Sequence, residues 1–481
     1  MKKYGNIFFV LIFLVFLFSC RKDKLITDSS AKLDFSRDSI LYDTVFTTVG
    51  STTKNFLVYN KNNKKIKISK LYLGAGNNSQ FRINVDGAPT ISTTDIEIPA
   101  NDSIWVFVEV TVNPTNQNSP LIIRDSVVFE TNGNQQSVQL EAWGQDAYYY
   151  KPTNFIYYSD GSVFKYSVIS CNSTWANDKP HVIYDYAVVD SGCKLTMMPG
   201  TRVYLHKGGV LWVYKAGTLD IQGTLGNEVT FQGDRLEQEF KDVPGQWGKI
   251  WLSAGSKNNK INYAIIKNGG IGIQTDTVAM PNPTLMLSNT IIENMSAAAL
   301  YGQGAHIRAY NCVFANCGQY CAALTIGGEY SFRHCTFANY YNFQSGTRTS
   351  PAVLINNWYK DVNDVPQSRS IDSAYFGNCI VYGNIDNEVG LDSSQGGNFN
   401  YKFENTLIKV PAAFNVIDGF HFLSSFKNND PSFSNSSNND YTLNTGSFAI
   451  DKGNISIGAQ YPLDLKGVSR TASPDLGAYE K

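Results

Sequence analysis

A surplus charge of one sign is missing from this sequence. Its 40 Lys and Arg face 41 Asp and Glu over 481 residues, a net charge of −1, which leaves no electrostatic footprint for nucleic acid. Charged residues of either sign are few, at 17 %, and no long amphipathic helical pattern follows the N-terminus. The apolar run from Ile7 to Phe18 is too short to span a membrane as a helix. Cysteine is scarce and uneven: apart from Cys20 there are seven, Cys171, Cys193, Cys312, Cys317, Cys321, Cys335 and Cys379, and an odd number argues against a complete disulfide framework. Aromatic residues, by contrast, make up 13 % of the chain, and Gly, Asn, Ser and Thr separate short apolar runs. That composition describes an all-β, secreted type of protein with room for two or three domains.

The most informative stretch runs from Asn258 to Val410, where six short segments align: NYAIIKN, SNTIIEN, YNCVFAN, RHCTFAN, GNCIVYGN and ENTLIKV. Aligned on the polar residue at the bend they give Tyr263, Asn289, Asn311, His334, Asn378 and Asn405, with steps of 26, 22, 23, 44 and 27. Steps in the twenties, Asn-rich bends and β-branched flanks predict stacked coils of a β-helix, with the step of 44 read as two coils of 22. Residues two and four before each bend are mostly apolar and are expected inside. Those three and five before, Met286/Thr284, Arg308/His306, Ser331/Glu329, Tyr375/Ser373 and Lys402/Asn400, are then expected outside. Asn289 and Asn311, and a second row of Asn268, Asn294, Asn316 and Asn339, read as stacked amides that satisfy turn backbone. Cys312, Cys335 and Cys379 recur at one coil position and read as small core residues, which displaces a metal reading of Cys312, Cys317 and Cys321. Cys171 and Cys193 flank one segment, and both a bridge and two free thiols remain open.

Several stretches carry resemblances. Lys2, Lys3, the apolar run and Ser19-Cys20 follow the order of an export signal, and LFSC resembles a bacterial lipobox, which implies a signal over 1–20, a lipid on Cys20 and a tether over 21–32. The alternating runs from 33 to 146, with VYNKNNKKIKISKL, IEIPANDSIWVFVEV and VQLEAWGQD, resemble immunoglobulin-like domains of the abnormal-spindle and hydin type, a β-sandwich. Residues 147–180, rich in Tyr and including Trp175, read as a junction that caps the open end of the solenoid. CKLTMMPGTRV, GTLDIQGT and PGQWGKIWL resemble the opening coils of bacterial right-handed parallel β-helix proteins, and the helix is expected over 181–425. DPSF, DYTLNTGSFAIDKGN and DLKGVSRTASPDLGAYE resemble the C-terminal segments of such surface proteins, implying that 426–481 closes the final coil.

The scaffold resembles the pectate lyase and polygalacturonase superfamily, the pectin lyase fold, but the polygalacturonase signature of paired Asp, Gly-His-Gly and Arg-Ile-Lys is missing. Asp276, Glu293 and Glu329 occupy different registers rather than one acidic cluster, so the sequence calls for no metal or other cofactor. Two sets of residues are candidates for function. His306, Arg308 and Glu329 would sit on neighbouring strands, where a carboxylate beside a His or Arg suits proton abstraction or acid catalysis on an acidic polysaccharide. The stretch 340–370 interrupts the coil count and carries Tyr340, Tyr341, Trp358, Tyr359 and Arg348, residue types that stack on sugar faces and bond their hydroxyls. The sequence therefore predicts a lipid-anchored cell-envelope protein, periplasmic or surface-exposed, that binds polysaccharide or adheres without catalysis. The alternatives are a polysaccharide lyase or glycoside hydrolase, and a scaffold for another envelope protein.

Overall fold

A computed structural model describes residues 24–114, 121–277, 283–343, 348–470 and 473–481, and all counts below refer to these. The export segment with Cys20 lies outside them. Among the described residues no helix is long and apolar enough to cross a membrane. The chain divides into two units, Met1–Asp146 and Ala147–Lys481.

The first unit is an immunoglobulin-like sandwich of two five-stranded sheets. Alternation in the strands Lys54–Asn60 and Asp102–Val110 sends every second residue inward, and Ile66–Leu73 does the same on either side of a register shift after Ile68. Phe56, Phe81, Phe129, Val106 and Val108 fill the space between the sheets and are almost wholly buried. Asn60 is buried with them because its Nδ2 donates to the carbonyls of Lys64, Ile98 and Pro99 at 2.8–3.0 Å, which satisfies a polar group that would otherwise be costly inside.

The second unit is a right-handed parallel β-helix with three sheets along its length. The first sheet has eleven strands, from Tyr148–Tyr150 to Phe426–Lys427. The second has ten, from Asn154–Tyr157 to Val389–Asp392, and the third has ten, from Thr174–Trp175 to Phe422–Leu423. One coil visits all three: Leu285–Ser288 in the third sheet, Ile291–Met295 in the first, Ala298–Gln303 in the second, then His306–Tyr310 beside its own start. Every pairing in these sheets is parallel except the opening hairpin of Asn154–Tyr157 with Val163–Val168. The interior is a continuous stack in which Phe332, Phe376, Phe403 and Phe422 follow one another at 4.7–5.4 Å. Each such burial contributes about 1.5–3 kcal/mol. Cys312, Cys335 and Cys379 sit in this core with no exposed surface, and Cys171 is joined to Cys193 across the opening coils.

The bends explain the repeated asparagines. Tyr263, Asn289, Asn311, His334, Asn378 and Asn405 all have φ between 44° and 53°, and Asn268, Asn294 and Asn316 between 49° and 67°. That left-handed conformation costs an ordinary residue about 1–2 kcal/mol, and Asn tolerates it best after Gly. The amides also stack, Asn289 Nδ2 on Asn262 Oδ1 at 2.9 Å and Asn311 Nδ2 on Asn289 Oδ1 at 3.1 Å. Asn311→Ala is expected to lower stability by about 1–2 kcal/mol, with Asn311→Gly recovering part of the loss; thermal denaturation of the two variants checks this.

Two expectations need correction. The 44-residue step from His334 to Asn378 is one coil, not two: Thr336–Asn339 pairs directly with Ile380–Gly383, and Asn378 Nδ2 meets His334 Nε2 at 3.0 Å. Insertions on both sides of the strand Val353–Asn356 lengthen that coil to twice the usual count. Nor does the C-terminal segment close the last coil beyond Phe426–Lys427, which ends the first sheet. Tyr441, Leu465, Ala478 and Tyr479 lie on Val313, Ala315 and Ala338, while Leu443, Ala449 and Leu476 lie on Ile380 and Leu407. It runs back along the outer face of the first sheet, where small apolar residues would otherwise face water. The bend row grips it: Asn311 Nδ2 donates to Leu463 O at 2.8 Å, Arg470 Nη2 donates to Asn311 Oδ1 at 2.9 Å, and Asn454 N donates to Asn378 Oδ1 at 2.7 Å. Gly477 has φ 87°, and a Cβ there would stand 2.6 Å from Thr336 Oγ1, so the closing phrase requires glycine for close approach.

Candidate functional site

The outward row holds in part. Arg308 and Glu329 line a groove of about 610 Å³ on the third sheet with Ser331, Arg333, Tyr375 and Tyr461, and register places Glu329 opposite His306 and Ser331 opposite Arg308. His306, however, is buried at 3 % exposure, as is Thr284 of the preceding coil at 0 %. Both occupy the corner where the chain enters the third sheet, and strand alternation no longer dictates direction there. His306 Nε2 lies 3.3 Å from Glu329 Oε1, but neither ring nitrogen has the alignment of a hydrogen bond. Burial lowers the imidazole pKa, Glu329 opposes the shift and Arg308 adds to it. A neutral ring walled off from the groove is not placed to exchange a proton with a bound sugar. Of the two arginines in the groove, Arg333 is hydrogen-bonded to Ser331 and lies 4.9 Å over the Tyr375 ring, while Arg308 is exposed.

The stretch 340–370 is not one projecting loop. Tyr340 packs between Phe433 and Tyr441 of the tail at 6.2 and 6.3 Å, so it covers the first sheet. Arg348 is the clearest correction. Its side chain is 1 % exposed and forms an ion pair with the fully buried Glu388, Nη2 to Oε1 at 2.6 Å and to Oε2 at 2.9 Å, and this burial keeps it from the surface where a sugar would bind. Trp358 and Tyr359 belong to a small hairpin, Trp358–Lys360 with Pro366–Ser368. Trp358 Nε1 donates to Asp392 Oδ1 at 2.9 Å, and Arg369 lies 5.6 Å over the Tyr359 ring. The structure therefore separates Tyr340 and Tyr341 from Trp358 and Tyr359.

A different constellation, not singled out by the sequence reading, lies on the outer face of the second sheet. Leu211, Val213, Ile250 and Leu252 point into the core, so alternation turns Trp212 and Trp251 outward. Register sets them side by side in the row Val188, Trp212, Trp251, Gln274, Tyr301. Their rings stack at 4.8 Å and 9°. Phe164, Tyr186 and Tyr214 meet Trp212 edge-on at 6.0, 6.2 and 5.2 Å. Together with Tyr166 and Asp190 these residues line a cleft of about 480 Å³. A polar strip continues from it: Lys249 Nζ lies 4.9 Å over the Trp251 ring and donates to Gln274 Oε1 at 2.7 Å, while Trp251 Nε1 donates to Asp276 Oδ2 at 2.6 Å. Burial lowers the Lys249 pKa and Asp276 opposes that shift. Apolar rings bordered by fixed donors and acceptors match the two-sided chemistry of a sugar. The signal was present in the sequence, because Trp212 in VLWV and Trp251 in KIWL hold the same outward position of successive coils.

The fold and the cleft together define an all-β protein with an immunoglobulin-like unit and a right-handed parallel β-helix. No family profile matches the chain, and no curated protein is similar to it. Among solved structures, the catalytic unit of the GH87 α-1,3-glucanase from Streptomyces thermodiastaticus is similar at 9 % identity and a TM-score of 0.25, over 78 % of this chain and 88 % of that one. The ASH/PapD-like domain of human CEP192 is similar at 12 % identity and a TM-score of 0.17, over 26 % of this chain and 91 % of that one.

Proposed function

We propose that this protein is a lipid-anchored component of a bacterial cell envelope that binds polysaccharide without cleaving it, seating the chain in the aromatic cleft of the second sheet. The observation that carries this reading is the Trp212–Trp251 stack, set in a concave wall of Phe164, Tyr166, Tyr186 and Tyr214. Exposed aromatic rings desolvate the apolar faces of pyranose rings, and Asp190 with the Lys249–Gln274–Asp276 strip supplies partners for hydroxyls. A glycosidase needs two carboxyl groups flanking the bond it cuts; here Asp190 lines the cleft, and Asp276 of the adjoining strip is held by Trp251 Nε1 and Gln274 Nε2. Strands stacked along the coil axis repeat every ~4.8 Å, so an extended glycan lying along the sheet meets several rungs at once.

A glycan array probed with the purified protein tests the reading. Binding to at least one polysaccharide is expected, together with no new reducing or unsaturated ends when that polysaccharide is incubated with the protein. A blank array, or release of such ends, would contradict it.

A further inference from the structure

A second concavity lies on the outer face of the first sheet, where four segments meet. The insertion at Lys241 and Asp242, the first-sheet residues Lys267, Glu293, Asn294 and Asn316, the excursion at Tyr341, and the tail turn at Ser437–Asn439 enclose about 550 Å³, within the ~300–1,000 Å³ of small-molecule sites. Register places Lys267 opposite Glu293 and Glu293 opposite Ala315. On the Ala315 side the tail residues Tyr441 and Tyr479 cover the strand, so the cavity is bounded there by the tail.

The wall is polar and incompletely satisfied. Asn439 Nδ2 donates to Asn294 Oδ1 at 3.2 Å, and Asn316 Nδ2 donates to Asn439 Oδ1. Asn294 is 7 % exposed, yet its Nδ2 has no partner, and neither do Asn316 Oδ1 and Tyr341 Oη. Buried polar atoms are paired in the great majority of cases, so three unpaired ones around one cavity mark a place for a polar guest. Burial lifts the Glu293 carboxyl group to about 7, with Lys267 opposing the rise and Asp242 adding to it, so near neutral pH this group both donates and accepts. Lys241, Lys267, Asp242 and the partly protonated Glu293 give the wall both donors and acceptors, which suits a molecule whose hydroxyls donate and accept together.

We propose that this cavity is a second carbohydrate site, one that takes a single neutral sugar unit or a chain end, with Glu293, Asp242 and the amides of Asn294 and Asn316 meeting its hydroxyls. It stands independently of the second-sheet cleft, and either site would remain if the other failed.

Saturation-transfer NMR of the full chain with glucose, galactose, mannose, N-acetylglucosamine, cellobiose and maltose tests it. At least one of these is expected to bind. Ser437→Trp, which fills the cavity from an exposed turn, and Glu293→Ala, which removes a carboxyl group without breaking a backbone contact, are each expected to weaken that binding at least tenfold. Binding is expected to persist in Trp212→Ala, which removes any contribution of the second-sheet cleft. The proposal is overturned if none of the six sugars binds, if Ser437→Trp binds as the wild type does, or if Trp212→Ala abolishes the signal. Should Glu293→Ala not fold, Ser437→Trp alone decides.

Discussion

Arg348→Ala is expected to destabilise the β-helix by about 3–5 kcal/mol, the cost of leaving a buried charge without its partner. Both side chains of the Arg348–Glu388 pair are shielded from solvent, at 1 % and 0 % exposure. Arg348 Nη2 also donates to Asn339 O at 2.9 Å and Asn384 Oδ1 at 3.1 Å. Glu388 accepts from Ala352 N at 2.9 Å and Ile385 N at 3.1 Å, so the pair ties both ends of the 340–352 insertion to the next coil. With Arg348 gone, the carboxylate keeps two backbone donors and loses its countercharge. Glu388→Ala is expected to cost a similar amount, whereas Arg348→Met combined with Glu388→Leu is expected to recover most of the loss, because the desolvation penalty of both ions disappears together. Urea denaturation of the three variants measures this, and a loss below ~1 kcal/mol for Arg348→Ala would place the pair among solvent-screened contacts.

Acidification from pH 6.5 to 4 is expected to remove about 3 kcal/mol of stability through His181 alone. The ring lies flat on Trp175 at 4.2 Å and 8°, faces Tyr148 and Tyr150, and its Nδ1 is 3.0 Å from Tyr150 Oη. Burial lowers its pKa to about 4, against the pull of the Ala176 backbone and Asp178. The unfolded chain takes up this proton near pH 6.5 and the folded chain only near 4. The contribution is therefore complete above the unfolded value and lost as pH falls through the interval between the two. His334 and His306, both lowered by burial, shift the curve in the same direction. His181→Gln isolates the effect: between pH 7 and 4 the wild type should lose about 3 kcal/mol more than the variant, and parallel pH–stability curves would contradict the assignment.

Much of the fold was legible because backbone chemistry left marks in the sequence. A left-handed bend in every coil selects Asn, and the series Asn289, Asn311, Asn378 and Asn405 records those bends. The inward pairs, such as Leu285 and Leu287 or Tyr330 and Phe332, follow from alternation and are buried as it requires. The 44-residue step was not legible, since two coils and one coil with insertions have the same length. Arg348 was misjudged because its partner lies 40 residues away, and no local pattern signals a pairing at that distance. His306 was misjudged because alternation describes strand interiors and not corners. The tail's course along the first sheet had a trace in Ala315 and Ala338, small apolar residues at outward positions where polar ones would suit water. The aromatic cleft has its trace in VLWV and KIWL, which precede the Asn-rich stretch and bring Trp212 and Trp251 into one row.

The most direct measurement is the affinity of the Trp212→Ala, Trp251→Ala double variant for a polysaccharide that the wild type binds, with Trp358→Ala as a companion. Removing two stacked rings is expected to cost about 3 kcal/mol, roughly a hundredfold in Kd, while Trp358→Ala keeps wild-type affinity. A double variant that binds as tightly as the wild type, or a Trp358→Ala protein that no longer binds, would contradict the account.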